Sequence, residues 1–488
     1  MHVFILISGA FLRFLMIGHE SFWVDEATTA LSIKKYDFKG LMANFYTKGQ
    51  IHPEYLNINL DFPVYYLGLE IWSNIFGVNE FSLRSFSAIF GILSIFLVYL
   101  LSKELFNEKA GLIASFIFSL HIVMIEYSQE ARLYSFIIFA VLLSAYSFIK
   151  SINGRNNKFF ILFIISTLLG IYTSPIFIFF FAFEALYFGY LTLADFMKRK
   201  KFAINRIHAA FAAFIFAYTP LAYRMIHPTI IGLRYSGNMS ILGLAKIFLQ
   251  YNTWLHPSQE LLTKLSNMEF QSLAFYELIA IISVIAVSLI LAAFLIFSFF
   301  NVKNNEKKPF VFVSSFLIAP FVIFFAMLYK VISIFPSNKY VIYTVPAYLT
   351  MASFGMSKLN NRNLAAILSI FFLFSITPLF LYYSNPIHPE YREAALFIEK
   401  NAGNDPVFVT IPTIKIAFDY YSEDVNNLYP VLKLEDVKTA NNNSKSVWLV
   451  LSTKYADQSG EISQYLGQNY KIAEKKDFYE VNIIHYVK

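Results

Sequence analysis

"VFILISGAFLRFLMIGHESFWVDEATTA", residues 3–30, runs from an apolar stretch into two adjacent carboxylates, Asp25 and Glu26, with Phe22 and Trp23 beside them. Residues 3–17 have the composition of a membrane helix, interrupted by one charge, Arg13, near the outer end. No basic stretch precedes the run and no small-residue cleavage site precedes Trp23, so it reads as a retained first helix. The acids therefore stand where the chain leaves the bilayer.

The rest of the chain sets the context. Of 488 residues, 57% are hydrophobic and 19% aromatic, while only 15% are charged, more apolar surface than a soluble domain of this size hides. Apolar runs recur near 3–17, 86–102, 110–125, 133–149, 159–172, 176–195, 207–223, 273–300, 309–330, 340–357 and 363–382, which predicts about eleven transmembrane helices. If the N-terminus is cytoplasmic, the inside loops hold Lys103 and Lys109; Lys150, Arg155 and Lys158; Lys198 to Lys201; Lys303, Lys307 and Lys308; Lys358 and Arg362. That distribution obeys the positive-inside rule, and it accounts for a net charge of +7 without nucleic acid, for which no basic-aromatic stripe exists. Cysteine is absent, which excludes disulfides, thiolate nucleophiles and Cys-ligated metal. No HxxxH or HExxH spacing points to zinc.

This topology collects the polar segments on the external face: the first loop at 18–85, the turn "EYSQEAR", the loop 224–272, "FPSNK" at 335–339 and the tail. The tail, 385–488, differs in kind. "PEYREAALFIEKNAG" and "GEISQYLGQNY" have helical spacing, whereas "DPVFVTI", "SVWLVLS" and "FYEVNIIHYV" read as strands, together a small α/β domain outside the cytoplasm. The expected fold is thus mostly α: a polytopic membrane unit over 1–384 and an extracytoplasmic α/β domain over 385–488.

Several residues at the external boundary are able to carry chemistry. Asp25 and Glu26 suit a general base on a hydroxyl or a hold on a divalent cation, and equally the acidic start of an interfacial helix. In "EYSQEARLY", residues 126–134, Glu130 and Arg132 share a tight turn; the arginine suits bidentate phosphate binding, or a local pair with a neighbouring acid. Arg13 and Arg84 are each either snorkelling residues or partners of a lipid phosphate. Lys339 and Tyr340 offer a further cation and hydroxyl, or an interface anchor. Asn238-Met-Ser and Asn442-Asn-Ser match the N-glycosylation triplet, a short pattern common by chance.

The order of these segments carries a resemblance. An arginine in the first span, then "FWVDEA", then "DFPVYYLGLEIWSNIFGVNEFSLRSFSAIFGILSIFLVYLLSKELF" and "EYSQEARLYSF", resembles the dolichyl-phosphate-mannose-protein mannosyltransferase-like family, which includes lipid A aminoarabinose transferases, within the GT-C superfamily of membrane glycosyltransferases. The likeness covers most of residues 10–150 and returns at "SNKYVIYTVPAY" and "YREAALFIEKNAG". It implies an inverting transfer of a sugar from a polyprenyl-phosphate donor to an acceptor hydroxyl on a glycan, lipid or protein, at the outer face of the cell membrane. By the same resemblance Asp25 is the catalytic base with Glu26 beside it, and Glu130 shapes the site. Arg132 holds the donor phosphate, with Arg84, Lys339, Arg13 and Tyr340 more loosely assigned. Trp23, Tyr65 and Tyr66 contact substrate, and a divalent cation, if one is used, falls on Asp25 and Glu130. The rival reading is a transporter or lipid-sugar flippase. Transport sites place polar groups at mid-membrane, and here only Glu70 and Glu184 lie in or beside apolar stretches.

Overall fold

A computed structural model describes residues 1–47, 63–154, 156–199, 205–226, 273–330, 339, 341–422, 427–440, 444–452, 457 and 460–488. The N-terminal segment forms α1 (His2–Phe14), α2 (Val24–Lys35), α3 (Phe38–Thr47) and α4 (Pro63–Phe76). A helical body follows: α5 (Glu80–Leu105), α6 (Glu108–Leu120), α7 (Ile122–Glu126), α8 (Tyr134–Asn153), α9 (Asn157–Ile171), α10 (Phe177–Arg199) and α11 (Arg206–Ile226). After the undescribed 227–272 come α12 (Phe275–Phe300), α13 (Lys307–Lys330), α14 (Val345–Ser357) and α15 (Asn361–Ser384).

Each apolar run of the sequence contains a helix, but the runs are not eleven equal spans. Among the described residues five helices, α5, α8, α10, α12 and α15, are long and apolar enough to cross a bilayer. The run 110–125 is divided at His121 into α6 and α7, and the run at 340–357 opens with a 3₁₀ turn, Ile342–Thr344, before α14. Apolar content alone does not register such breaks, since a helix end leaves composition unchanged. The starts are better marked in the sequence. Asn79, Asn107, Asn156 and Asn360 each sit at an N-cap and accept a backbone N–H from the first turn of α5, α6, α9 and α15. A short side-chain amide in extended backbone satisfies one donor that the helix itself leaves orphaned.

Within the body, α5 packs on α6 and α8, α8 on α9, and α14 on both α6 and α12. With no hydrophobic force between helices in lipid, close approach and interhelical hydrogen bonds supply the contacts. The hydroxyls of Ser102 and Thr350 lie 2.8 Å apart between α5 and α14. A Cβ on Gly355 would stand 2.3 Å from the Phe294 carbonyl oxygen of α12, so the backbones meet where only hydrogen fits.

The C-terminal segment builds one five-stranded sheet, order β2-β1-β3-β5-β4, from β1 (Val407–Val409), β2 (Leu428–Pro430), β3 (Ser446–Ser452), β4 (Lys471–Phe478) and β5 (Val481–Val487). Strand β1 pairs parallel with β2 and β3, while β3–β5 and β4–β5 are antiparallel. Four helices accompany it: α16 (Tyr391–Asn401), α17 (Pro412–Tyr421), α18 (Leu434–Ala440) and α19 (Glu461–Asn469). The stretch "FYEVNIIHYV" is not one strand. It spans the end of β4, a turn with Glu480 at φ 56°, and β5. Helix α17 packs on α2, which brings the sheet's helical layer against the acidic loop.

Gly355→Ala drives a methyl into a backbone carbonyl rather than into a yielding side chain, and overpacking of this kind costs about 1–3 kcal/mol. The expected result is a lower melting temperature of the detergent-solubilised protein, with Gly189→Ala, where nothing lies within 4 Å, as the silent control.

Candidate active site at the acidic loop

Asp25 and Glu26 both occupy the first turn of α2, where a negative charge meets the positive end of the helix dipole. Neighbouring helix positions point about 100° apart, so the two carboxylates face different surroundings. Glu26 turns inward and is fully buried. Its Oε1 accepts from Arg84 Nε (2.9 Å) and from Ala131 N (2.7 Å), and its Oε2 accepts from Arg84 Nη2 (2.7 Å). Arg84, from the second turn of α5, then donates Nη1 to the carbonyls of Ile17 (3.0 Å) and Glu20 (2.8 Å), and Nη2 to that of Ser21 (3.0 Å). A guanidinium has five N–H donors, and all five are taken by these acceptors. Arg84 therefore has nothing to offer a phosphate, and Glu26, fully buried with a hydrogen bond on each oxygen, is closed to an acceptor hydroxyl. Both assignments are corrected: the two residues are a structural clamp. The Phe22 ring, 5.3 Å from the Arg84 guanidinium carbon, covers it.

Arg13 is engaged through its Nη atoms, while its buried Nε has no hydrogen-bond partner. The side chain is fully buried and donates to the carbonyls of Gly9 (3.1 Å), Ser119 (3.3 Å) and Phe118 (3.4 Å). The last two are orphan carbonyls at the end of α6, the place where a cation complements a helix terminus. A Cβ on Gly91 would lie 3.1 Å from Arg13 Nε and 2.1 Å from Ser128 Oγ, so only glycine admits this packing. The phosphate expectation for Arg13 yields to that of a helix cap. Gln129, which the sequence reading did not single out, donates to the carbonyls of Leu12, Arg13 and Leu15 and accepts from Tyr382 (2.8 Å), tying α1 to the α7–α8 turn and α15.

Asp25 is different. Its side chain is 35% exposed, and Oδ2 lies 3.6 Å from Arg132 Nη2. Arg132 makes long contacts only, at 3.4 Å to the Asp25 carbonyl and to Thr29 Oγ1, and its buried Nε has no hydrogen-bond partner. Thr29 Oγ1 donates to the Asp25 carbonyl at 3.0 Å. The Arg132 carbonyl accepts from Ser87 Oγ (3.2 Å), whose hydroxyl also meets Tyr65 (2.8 Å). Of the arginines assigned to phosphate, this one keeps unused donors beside a solvent-reachable acid.

Glu130 sits next to this pair, buried, with Oε2 lacking a hydrogen-bond partner. Burial pushes its carboxyl well above the usual carboxylate range, and the charges of Glu126, Glu26 and Asp25 push the same way, against Arg132. Each of these influences favours the neutral carboxyl over the anion, and only Arg132 opposes them.

Tyr65 and Tyr66 lie behind the Asp25–Arg132 pair, where Tyr66 acts electrostatically on Arg132. Both are buried, their rings 5.2 Å apart edge to face, and Tyr65 braces Ser87 rather than a substrate. Trp23 is half-buried at the N-cap of α2, and one ring face stacks on His388 at 6.0 Å. Lys339 is half-buried, while Tyr340, Asn238 and Asn442 lie outside the described residues. Among the described residues no three His, Asp or Glu side chains are grouped to hold a metal ion. Glu184, cited for transport, is buried within α10 with both carboxyl oxygens near Ser144 Oγ, at 2.9 and 3.2 Å.

Residues 52–226 match the family model described as dolichyl-phosphate-mannose-protein mannosyltransferase. No curated protein sequence matches the chain. Among solved structures it is similar to ArnT from Cupriavidus metallidurans in the apo state, at TM-score 0.59 and 10% identity over 99% of this chain and 97% of that one. The Archaeoglobus fulgidus oligosaccharyltransferase in complex with Zn and sulfate matches at TM-score 0.55 and 14% identity, over 96% and 69% of the two chains. The archaeal oligosaccharyltransferase AglB from Archaeoglobus fulgidus, in complex with an inhibitory peptide and a dolichol-phosphate, matches at TM-score 0.52 and 12% identity, over 96% and 72%. The fold is that of the GT-C glycosyltransferases, as the resemblance of the N-terminal third implied.

Two outcomes test this description of the site. Glu26→Ala strands the Arg84 charge in the interior, a change that costs about 3–5 kcal/mol, and is read as a large fall in melting temperature. For Glu130 the sign follows from its raised pKa. Below the ordinary carboxylate range both folded and unfolded chains carry the proton; as pH rises, the unfolded chain ionises first and stability falls until the folded carboxyl also ionises. Glu130→Gln, a neutral isostere, is expected to flatten that decline in a pH series of melting temperatures.

Proposed function

We propose that this chain is an inverting glycosyltransferase that moves a sugar from a polyprenyl-phosphate donor to an acceptor hydroxyl at the extracytoplasmic face. The reading rests on one observation above all: a partly exposed carboxylate, Asp25, stands 3.6 Å from an arginine with unfilled donors. The family match supports the sugar-transfer chemistry, and the dolichol-phosphate held by the similar oligosaccharyltransferase supports a lipid-phosphate donor.

In the proposed reaction Asp25 accepts the proton of the acceptor hydroxyl as its oxygen attacks the anomeric carbon. The bond from that carbon to the phosphate oxygen breaks in the same step, its electron pair leaves with the polyprenyl phosphate, and configuration inverts. Arg132 faces the place where the phosphate gains charge, and donors fixed in advance at such a point stabilise the transition state. Its open Nε–H supplies a donor that the protein does not use. Glu130, whose neutral form burial favours, repels the phosphate less than a solvated carboxylate would. Residues 1–384 form the membrane-embedded catalytic unit in this reading, with the N-terminus cytoplasmic, and 385–488 stand outside. Acceptor class, whether glycan, lipid or protein, is set by surfaces beyond this acid–arginine pair. Transport is disfavoured by Glu184, whose carboxyl is closed by Ser144 inside the bundle.

Purified protein incubated with a panel of polyprenyl-phosphate sugars is expected to consume at least one, followed by mass spectrometry. Asp25→Asn is expected to lower turnover roughly 10²–10⁴-fold, the contribution of a positioned general base, with folding intact. Consumption of no donor by folded wild-type protein, or full activity of Asp25→Asn, overturns the proposal.

A further inference from the structure

The loop before Asp25 is gripped from two sides. Arg84 gathers the carbonyls of Ile17, Glu20 and Ser21 from the helical body. The C-terminal segment holds the opposite side residue by residue. Arg392 Nη2 donates to the His19 carbonyl (2.8 Å), and Ile387 N donates to Glu20 Oε1 (2.7 Å). Ser21 Oγ donates to the Pro389 carbonyl (2.7 Å), and Phe22 N donates to the Tyr421 hydroxyl (2.5 Å).

Tyr421 is the point where these ties meet the rest of the molecule. A tyrosine hydroxyl has one proton to give and lone pairs to receive. Here the proton goes to Glu80 Oε1 at 2.8 Å, and a lone pair takes the Phe22 N–H. Glu80 opens α5 one turn before Arg84, and Arg392 Nη1 (3.0 Å) holds the same carboxylate oxygen. Around this relay the Phe22 ring is fully buried, edge to face with Tyr420 at 5.2 Å, and the Tyr420 hydroxyl donates to the Val78 carbonyl (2.9 Å). Phe22 precedes Asp25 by three residues, so its amide fixes where α2 begins and hence where Asp25 stands relative to Arg132.

We infer that Tyr421 is a positioning residue for the transfer reaction: its hydroxyl, bridging Glu80 and the Phe22 amide, sets the first turn of α2 and so the Asp25–Arg132 geometry. This rests on the reading of Asp25 as the base. It makes the C-terminal segment part of the catalytic apparatus, not only a surface for acceptors.

The test uses the full chain in detergent or nanodiscs with a polyprenyl-phosphate sugar that the wild type consumes. Tyr421→Phe keeps the ring and removes the relay. Misplacing a reacting group by an ångström costs up to about 100-fold, so kcat per folded molecule is expected to fall roughly 10- to 100-fold. The donor KM is expected to stay within about twofold, the pattern of an interaction realised in the transition state. Glu80→Ala, which strips the hydroxyl of its acceptor, is expected to act through the same path, so the double variant loses no more than the worse single one. A merely structural Tyr421 would instead lower the melting temperature and leave kcat per folded molecule unchanged. Wild-type kcat in Tyr421→Phe, or losses that multiply in the double variant, overturns the inference. If Tyr421→Phe is not recovered folded, Glu80→Ala alone carries the same kcat test. Asp25→Asn runs alongside: if it is inactive while Tyr421→Phe is normal, only the positioning role falls, and if it is active, the base assignment falls.

Discussion

A buried, bidentate ion pair between Arg84 and Glu26 organises everything around the candidate site. Taking two charges out of water is expensive, and their attraction repays that cost only when geometry and additional hydrogen bonds are complete. Here they are complete on both sides: three bonds reach the carboxylate and five leave the guanidinium. An apolar pair of equal volume would give comparable stability, but it would not specify direction. The ion pair joins α2, α5, the loop at 17–21 and the turn at Ala131 in a single register. Arg132 follows Ala131 directly, so the clamp sets the positions of both Asp25 and its cationic neighbour.

That constraint explains how neighbouring, chemically similar residues come to do different work. Asp25 and Glu26 share a helix turn, and Arg84 and Arg132 share a boundary. Saturation separates them. Where every donor and acceptor is satisfied inside the protein, as at Arg84 and Glu26, a group is scaffold. Where contacts are long and one buried Nε is left over, as at Arg132, capacity remains for an anion. Arg13 stands between the two: its Nη donors reach the carbonyls of Gly9 and of the end of α6, and its Nε is left over.

Much of the architecture was legible in the sequence because composition and helix starts leave marks there. Apolar runs located the helices of the body, and a Gly after "FIEKNA" and the apolar strings "VFV" and "SVWLVLS" located α16, β1 and β3. Strand β4, "KIAEKKDF", escaped because it lies at the sheet edge with nearly every side chain exposed, and such a strand has no apolar alternation to read. The acid-bearing loop stands out in the sequence as a candidate site, while the choice between its two carboxylates does not. Both readings of an acidic helix start, cap and catalyst, fit both residues. Only the 100° turn between neighbours, and what lies across from each, separates them. Bonds such as Phe22 to Tyr421, which join positions 399 apart in the chain, have no local signature at all.

The proposed reaction at a membrane boundary gives a long-range clamp of this kind a physical purpose. Pre-organised electrostatic stabilisation works when charges are fixed before the reaction and do not relax around it. A loop at an interface has water on one side and mobile lipid on the other, and neither supplies rigidity. The loop at 17–23 therefore takes its order from covalently remote parts of its own chain, Arg84 beneath it and residues 387–392 and 421 above it. Its backbone groups are engaged on both faces, while the Asp25 side chain remains exposed between them. Rigidity is placed in the backbone and access is left to one carboxylate, the combination that the proposed proton transfer to Asp25 would require.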